Sequence, residues 1–226
     1  MSGVTSAPGL HVLGVTGGVG SGKSTASKIL ATALGGQVLD ADAIVSELLQ
    51  SPEVLDLIEV KLGAIVRDET GALNRTRLAD HIFAHPEAKA QLEGVLHPAV
   101  RRQLWLDLEE MEASGGPVWA ILDVPLLREG GLDRICDRVV HVHVPEELRC
   151  ARACARHGWS AEQWQAREAA QMEESEKAAR ADAILHNHAG IGALSEQIAA
   201  LAPTLQSLPP RPLRDRWPAW DFELGR

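Results

Sequence analysis

Gly17-Gly18-Val19-Gly20-Ser21-Gly22-Lys23-Ser24 fits G-x-x-x-x-G-K-[ST], the phosphate-binding loop. Its surroundings are those the motif requires. An apolar run, Leu10 to Val15, precedes it and reads as a buried strand, and Thr25 to Leu34 follows as a helix. Glycines lack a Cβ, so the backbone can turn tightly and come close to a phosphate. The loop then aims N–H groups and the positive end of a helix at the anion. The pattern predicts that Gly18, Val19, Gly20, Ser21, Gly22, Lys23, Ser24 and Thr25 hold the nucleotide. Within that set Lys23 reaches the terminal phosphates and the Ser24 hydroxyl binds Mg2+.

Working outward, strand signals stand at Leu10–Thr16, Gln37–Asp40, Val118–Val124, Arg138–Val144 and Ala183–His186, with helical patterns between them. Strands alternating with helices imply a parallel sheet with right-handed crossovers. The expected class is therefore α/β: a three-layer core on a parallel five-stranded sheet, with a helical insertion and a small helical lid. Ser51-Pro52 reads as a helix start, Asn74 as the cap of another, and Pro86 as the opening of a third; Pro98 to Ala113 reads as a separate, longer helix. Gly115-Gly116-Pro117 punctuates the return to the sheet. Pro145 to His157 is helical, Ser160 to Gln163 is a capping-box pattern, and Ile191 to Leu205 reads as a closing amphipathic helix. The expected organisation is a nucleotide-binding core (1–45, 115–144 and 180–206), an acceptor-binding insertion (46–114), a lid (145–179) and a tail (207–226). Pro209, Pro210, Pro212 and Pro218 make that tail no folding unit, with Trp217 and Trp220 covering a core edge or hanging loose.

The chain has 226 residues, is 45% hydrophobic and carries a net charge of −9. That supports a substantial core and disfavours a nucleic-acid partner, which usually selects a basic balance. Three cysteines, Cys136, Cys150 and Cys154, with no C-x-x-C, argue for reduced thiols in a cytoplasm rather than a disulfide framework or zinc site. The apolar stretches are too short to span a bilayer, and no signal peptide is visible.

A phosphate loop alone does not separate a kinase from a switch or a motor. Asp40 and Asp42 stand at the carboxyl end of the second strand, where ligands of open parallel sheets sit. A carboxylate there can position or deprotonate an attacking hydroxyl; otherwise Asp42 caps the following helix. Asp123 ends the third strand, placed like a Walker-B acid holding Mg2+ or, alternatively, as a turn aspartate before Pro125. Arg149, Arg152 and Arg156 share a helical face, with Arg167 on the next helix. Such a stripe is either a solvated face or a lid that closes over phosphates, and the position between two strands favours the lid for Arg152 and Arg156. His97 lies in the insertion, with a structural and an acceptor-contacting role both open. His141 and His143 share one strand face, and His186 and His188 are similarly spaced, but no cysteine or carboxylate completes a metal set.

Taken in order, these residues resemble bacterial dephospho-CoA kinases from about Leu10 to Leu201. Thr16 to Ser24 resembles the family's loop, and Leu39-Asp40-Ala41-Asp42 its Asp-Ala-Asp signature. Gly71 to Arg75 with Leu78 and Phe83, Leu92-Glu93 with Leu96-His97-Pro98, and Pro125-Leu126-Leu127 with Glu129 resemble further stretches. Arg152, Arg156, Arg167 and Gln171 fit its lid, and Ala181-Asp182, Ile184 and Asn187 its closing motif. Leu62-Gly63, Arg128 and Arg149 depart from the family pattern. The resemblance implies a cytoplasmic ATP- and Mg2+-dependent phosphotransferase, a monomer or small homo-oligomer with no nucleic-acid or membrane partner. It would phosphorylate the ribose 3′-hydroxyl of dephospho-CoA. Asp42 is then the base, Arg75 and His97 join it at the acceptor, Lys23, Arg152 and Arg156 act on the phosphates, and Ser24 and Asp123 serve Mg2+. Another small-molecule kinase, such as a nucleoside monophosphate kinase, is the near alternative. A GTP-dependent switch needs N-K-x-D after a late strand, where this chain has His186-Asn187-His188-Ala189.

Overall fold

The computed structural model describes residues 9–63, 66–114, 118–125, 127–128 and 130–217. Expectations placed on residues 1–8, Gly115-Gly116-Pro117, Leu126, Glu129, Pro218, Trp220 and the side chain of Phe83 lie outside them. Contacts divide the chain into two compact units, one built from residues up to Asp40 and from Leu108 onward, the other from Ala41–Asp107.

The first unit holds a sheet of five parallel strands: β1 (Leu10–Thr16), β2 (Gln37–Asp40), β3 (Val118–Asp123), β4 (Arg138–His143) and β5 (Ala183–His186), in the order β2-β3-β1-β4-β5. This is the sheet the sequence predicts. The central strand β1 is buried at every residue, as a strand covered on both faces must be. On one face Leu13, Val15, Trp119, Ile121, Val140, Val142 and Leu185 pack with α1 (Lys23–Leu34) and α9 (Ile191–Gln206). The alternation of side chains puts Gly14, Val139, His141 and His143 on the other face. There Gly14 has no room for a side chain: a Cβ would lie 2.6 Å from Leu127 Cδ2 and 2.9 Å from Cys136 Sγ.

Between β4 and β5 run α6 (Glu146–His157), α7 (Ala161–Ala169) and α8 (Glu174–Ala179). The capping box of α7 forms as expected, with Ser160 Oγ accepting from Gln163 N and Gln163 Oε1 from Ser160 N. Arg128, a departure from the family pattern, donates to Asp133 Oδ2 at 3.1 Å and to the Arg180 carbonyl.

The second unit packs Val54, Leu55, Ile58, Leu62, Val66, Leu78, Val95 and Leu96 into its own core. Its helices are α2 (Ala41–Leu48), α3 (Pro52–Leu62), α4 (Arg75–Ala84) and most of α5 (Pro86–Ala113). Pro52 opens α3, and Asn74 caps α4 by accepting from Arg77 N at 3.0 Å. One expectation fails. The helices opening at Pro86 and Pro98 are one 28-residue helix, with Pro98 inside it. Buried Val95, Leu96, Ala99, Val100 and Leu104 continue one apolar stripe across the proline, and that packing offsets the lost backbone bond. Asp42 is the second residue of α2, which begins at Ala41, so the alternative reading of it as the residue before that helix is not met.

The segment after Ser207 is tied into the sheet as far as it is described. Arg211 bridges Leu10, Leu213 is buried, and its N–H donates to Glu112 Oε1 at 2.7 Å. Arg216, wholly buried, donates to the carbonyls of Ile135 (3.1 Å), Leu10 (2.8 Å) and Arg211 (2.7 Å), and pairs with Asp137 Oδ2 at 2.7 Å. The same carboxylate oxygen accepts the β1 N–H of Val12 at 2.8 Å. Proline spacing marks only a break in regular structure; it carries no sign of a long-range arginine anchor.

Candidate active site

At the carboxyl end of β1 the chain leaves the sheet and turns through the loop into α1. Gly20 (φ +89°) and Gly22 (φ +83°) occupy left-handed backbone that other residues rarely adopt. Gly22 is the residue before α1, so the loop ends on the helix N-terminus. The helix begins at Lys23, two residues earlier than the sequence suggests. Lys23 Nζ donates to the carbonyls of Gly17 (2.9 Å) and Gly18 (3.3 Å), folding the side chain back along the loop. Burial pushes its pKa below the ordinary 10.5, against the opposing charge of Asp123. Ser24 and Thr25 are exposed in the first turn, whereas Ser21 Oγ is enclosed without a hydrogen-bond partner among the described residues.

Asp40 and Asp123 end adjacent strands in register, and Asp123 is buried beside the last residues of β1. A hydroxyl at Ser24 and a carboxylate at Asp123 are hard oxygen donors, the chemistry that suits Mg2+. The residues present therefore fit a nucleotide–Mg2+ pair. Asp42 lies two residues past Asp40, exposed in the first turn of α2. Arg75, the first residue of α4, and His97, within α5, are both exposed in the second unit. That unit also has a pocket of about 280 Å³ lined by Ile44, Glu47, Leu48, Arg102, Gln103 and Leu106 among others.

The arginine stripe resolves into three different situations. Arg149 is buried over the loop. Its Nε donates to the Val144 carbonyl at 3.2 Å, its Nη1 pairs with Glu168 Oε1, and a Cβ on Gly18 would collide with it. Arg152 donates to the Asn187 carbonyl at 2.9 Å. Arg156 is exposed near the end of α6, and Arg167 lies 4.0 Å over the ring of Trp159. Sequence reasoning ranks Arg149 behind Arg152 and Arg156, yet Arg149 is the one against the loop. It also does not reach Glu168, Trp164 or the role of Asn187. Glu168 Oε2 accepts from Val19 N at 2.9 Å, and Trp164 Nε1 donates to Val19 O at 3.1 Å, so α7 grips both backbone polar groups of one loop residue. Asn187 Nδ2 donates to the Ser21 carbonyl at 2.9 Å. The only available signal was the opposite charge of Arg149 and Glu168, nineteen residues apart.

The histidines also depart from expectation. A carboxylate does stand with His141 and His143: donor atoms of these two and of Glu174 lie within 4.8 Å of one another.

The family model described as dephospho-CoA kinase (CoaE) matches residues 11–192. The dephospho-CoA kinase of Symbiobacterium thermophilum is 42% identical over 192 residues, 84% of this chain and 80% of that one. That of Deinococcus radiodurans is 40% identical over 83% of this chain and 89% of its own. Among solved structures, a Thermus thermophilus protein superposes with a TM-score of 0.72 at 35% identity, covering 89% of this chain and 99% of that one. The Campylobacter jejuni dephospho-CoA kinase, at 24% identity and a TM-score of 0.58, shares the fold over 87% of this chain and 97% of its own. A five-stranded parallel sheet, an intact phosphate loop and these likenesses together place the chain in the dephospho-CoA kinase family.

Proposed function

We propose that this protein transfers the γ-phosphate of ATP to the ribose 3′-hydroxyl of dephospho-CoA, giving coenzyme A and ADP. The observation that carries this reading is the loop itself, with Lys23 gathered against it beside Asp123, in a chain of this family. Lys23 exchanges its two carbonyl partners for the β- and γ-phosphates, where its charge counters what builds up as the bond breaks. Ser24 and Asp123 would hold Mg2+, which when bound neutralises phosphate charge. Gly18 to Thr25 wrap the phosphates. Asp42 orients the acceptor hydroxyl and takes its proton as the new O–P bond forms and the bond to the β-phosphate oxygen breaks. Arg75 and His97 contact the acceptor, and Arg152 and Arg156 neutralise transferring charge from the lid. With a net charge of −9, the protein needs such local cations to receive an anionic acceptor.

The same reading makes this a cytoplasmic enzyme, a monomer or small homo-oligomer without nucleic-acid or membrane partners. No helix among the described residues is long and apolar enough to cross a membrane.

A coupled ATP-turnover assay with and without dephospho-CoA tests the reading, with nucleoside monophosphates as rival acceptors. Turnover should appear only with dephospho-CoA. Asp42→Asn should lower it about 10²–10⁴-fold while ATP still binds. Full activity in Asp42→Asn with loss in Asp40→Asn would move the base to Asp40, and turnover with the monophosphates alone would overturn the acceptor.

A further inference from the structure

His141 sits on β4, opposite Thr16 of β1, with no exposed surface. Neither of its ring nitrogens has a hydrogen bond among the described residues, and neither carboxylate oxygen of Glu174 on α8 has one, though all four atoms are enclosed. His141 Nε2 lies 3.0 Å from Glu174 Oε1, an ion pair when the ring is protonated, and this is the one charged partner the carboxylate has at contact distance among the described residues. Enclosed polar atoms left unbonded are costly, and an enclosed carboxylate more so. Lys177 and Arg149 favour the ionised carboxylate by their charge, but their hydrogen bonds go elsewhere: Lys177 donates to Gln171 Oε1 at 2.8 Å, and Arg149 pairs with Glu168.

His143, two residues along the same strand face, completes the group, with one donor atom from each of the three residues within 4.8 Å of the others. A tetrahedral zinc ion bound at about 2.0–2.2 Å sets its ligand atoms about 3.4 Å apart. The His141–Glu174 pair needs to open by a few tenths of an ångström, and the partly exposed His143 needs to draw in from a separation of up to 4.8 Å. His186 stands across from His143 in register, edge-on with ring centroids 5.4 Å apart. It is the next donor for a fourth position that water otherwise fills.

We propose that His141, His143 and Glu174 form a binding site for a divalent transition-metal cation of the zinc type. Two imidazoles and one carboxylate select such an ion over Mg2+, which prefers oxygen donors. This proposal does not rest on the phosphotransferase reading, and its ligands are separate from Ser24 and Asp123. Because Glu174 comes from α8 and the histidines from β4, the ion would fasten the end of the helical excursion to the sheet.

The test is a titration of the chelator-treated full-length protein with Co2+, followed by visible absorption, and with Zn2+, followed by calorimetry. The wild type should take up one equivalent at micromolar metal, with the intense bands of tetrahedral Co2+ that Zn2+ then removes. His143→Ala and Glu174→Gln, at partly exposed positions, should weaken binding at least about 10-fold while keeping the wild-type circular dichroism. His81 and His85 on α4, with ring centroids 4.6 Å apart, are a rival surface pair, so His81→Ala should bind as the wild type does. No uptake by the wild type, uptake unchanged in His143→Ala, or uptake lost in His81→Ala would each overturn the proposal.

Discussion

The two ends of β1 are held by opposite means. At its carboxyl end the shape is set locally, by glycines in left-handed conformations, a helix N-terminus and a lysine folded onto carbonyls six and five residues back, with Glu168, Trp164 and Asn187 bracing the loop from outside. At its amino end a buried side chain from 206 residues away, Arg216, donates to Leu10 O and pairs with the Asp137 that also receives Val12 N–H. One end is shaped to receive charge from solution. The other is closed with its charges already neutralised. The first serves the proposed chemistry and the second the integrity of the strand that carries it, so substitutions should separate activity from stability.

The largest effect is expected at the closed end. Arg216→Ala leaves Asp137 buried without its main partner and should cost about 3–5 kcal/mol of stability. A urea melt would register that as a large fall in midpoint, while turnover measured well below the melting temperature stays near wild type. Equal losses of turnover and stability would erase the contrast between the two ends. Next comes Lys23→Ala, with turnover down about 10²-fold or more, at least about 2.7 kcal/mol of barrier. Its stability should not fall. Burial lowers the Lys23 pKa, so the folded state holds that proton less tightly than the unfolded chain. Wild-type stability therefore gains as pH rises from the lowered value towards 10.5, and a pH series of melts should lack that gain in the variant. The smallest effect is that of Glu168→Gln. The amide oxygen can still accept from Val19 N–H, with the amide NH2 then facing Arg149 in place of the second carboxylate oxygen, and a negative charge beside the loop is gone. ATP should bind a few-fold tighter, about 1 kcal/mol, in calorimetry. An unchanged affinity would show that the paired Arg149 already masks the carboxylate.

The same division explains what could be read from the chain. All five strands and the phosphate loop were legible because their signals are local, in apolar runs of four to seven residues and a glycine spacing tied to one backbone geometry. The capping residues Asn74 and Ser160 were legible for the same reason. Pro98 misled because a local breaking rule was overridden by the apolar stripe on either side of it. Arg149 and Arg216 look in sequence like other arginines; only partners 19 and 79 residues distant, Glu168 and Asp137, distinguish them. The His141–His143–Glu174 group was half visible. A period of two put His141 and His143 together, but Glu174 reaches them only through the return of α8 onto the sheet.

The Arg216 anchor also has a consequence for how the chain is made. Translation is directional, and the first strand of the sheet leaves the ribosome long before the residue that clamps it. At about 5–20 residues per second, the 206 residues between Leu10 and Arg216 take about 10–40 s to add. Throughout that interval the sheet can assemble around β1, but Asp137 waits for its guanidinium and the Leu10 carbonyl for its donor. The nascent protein thus passes through a stage with its nucleotide end formed and its opposite edge unsealed, and the seal is set only when the last turn of the described chain emerges.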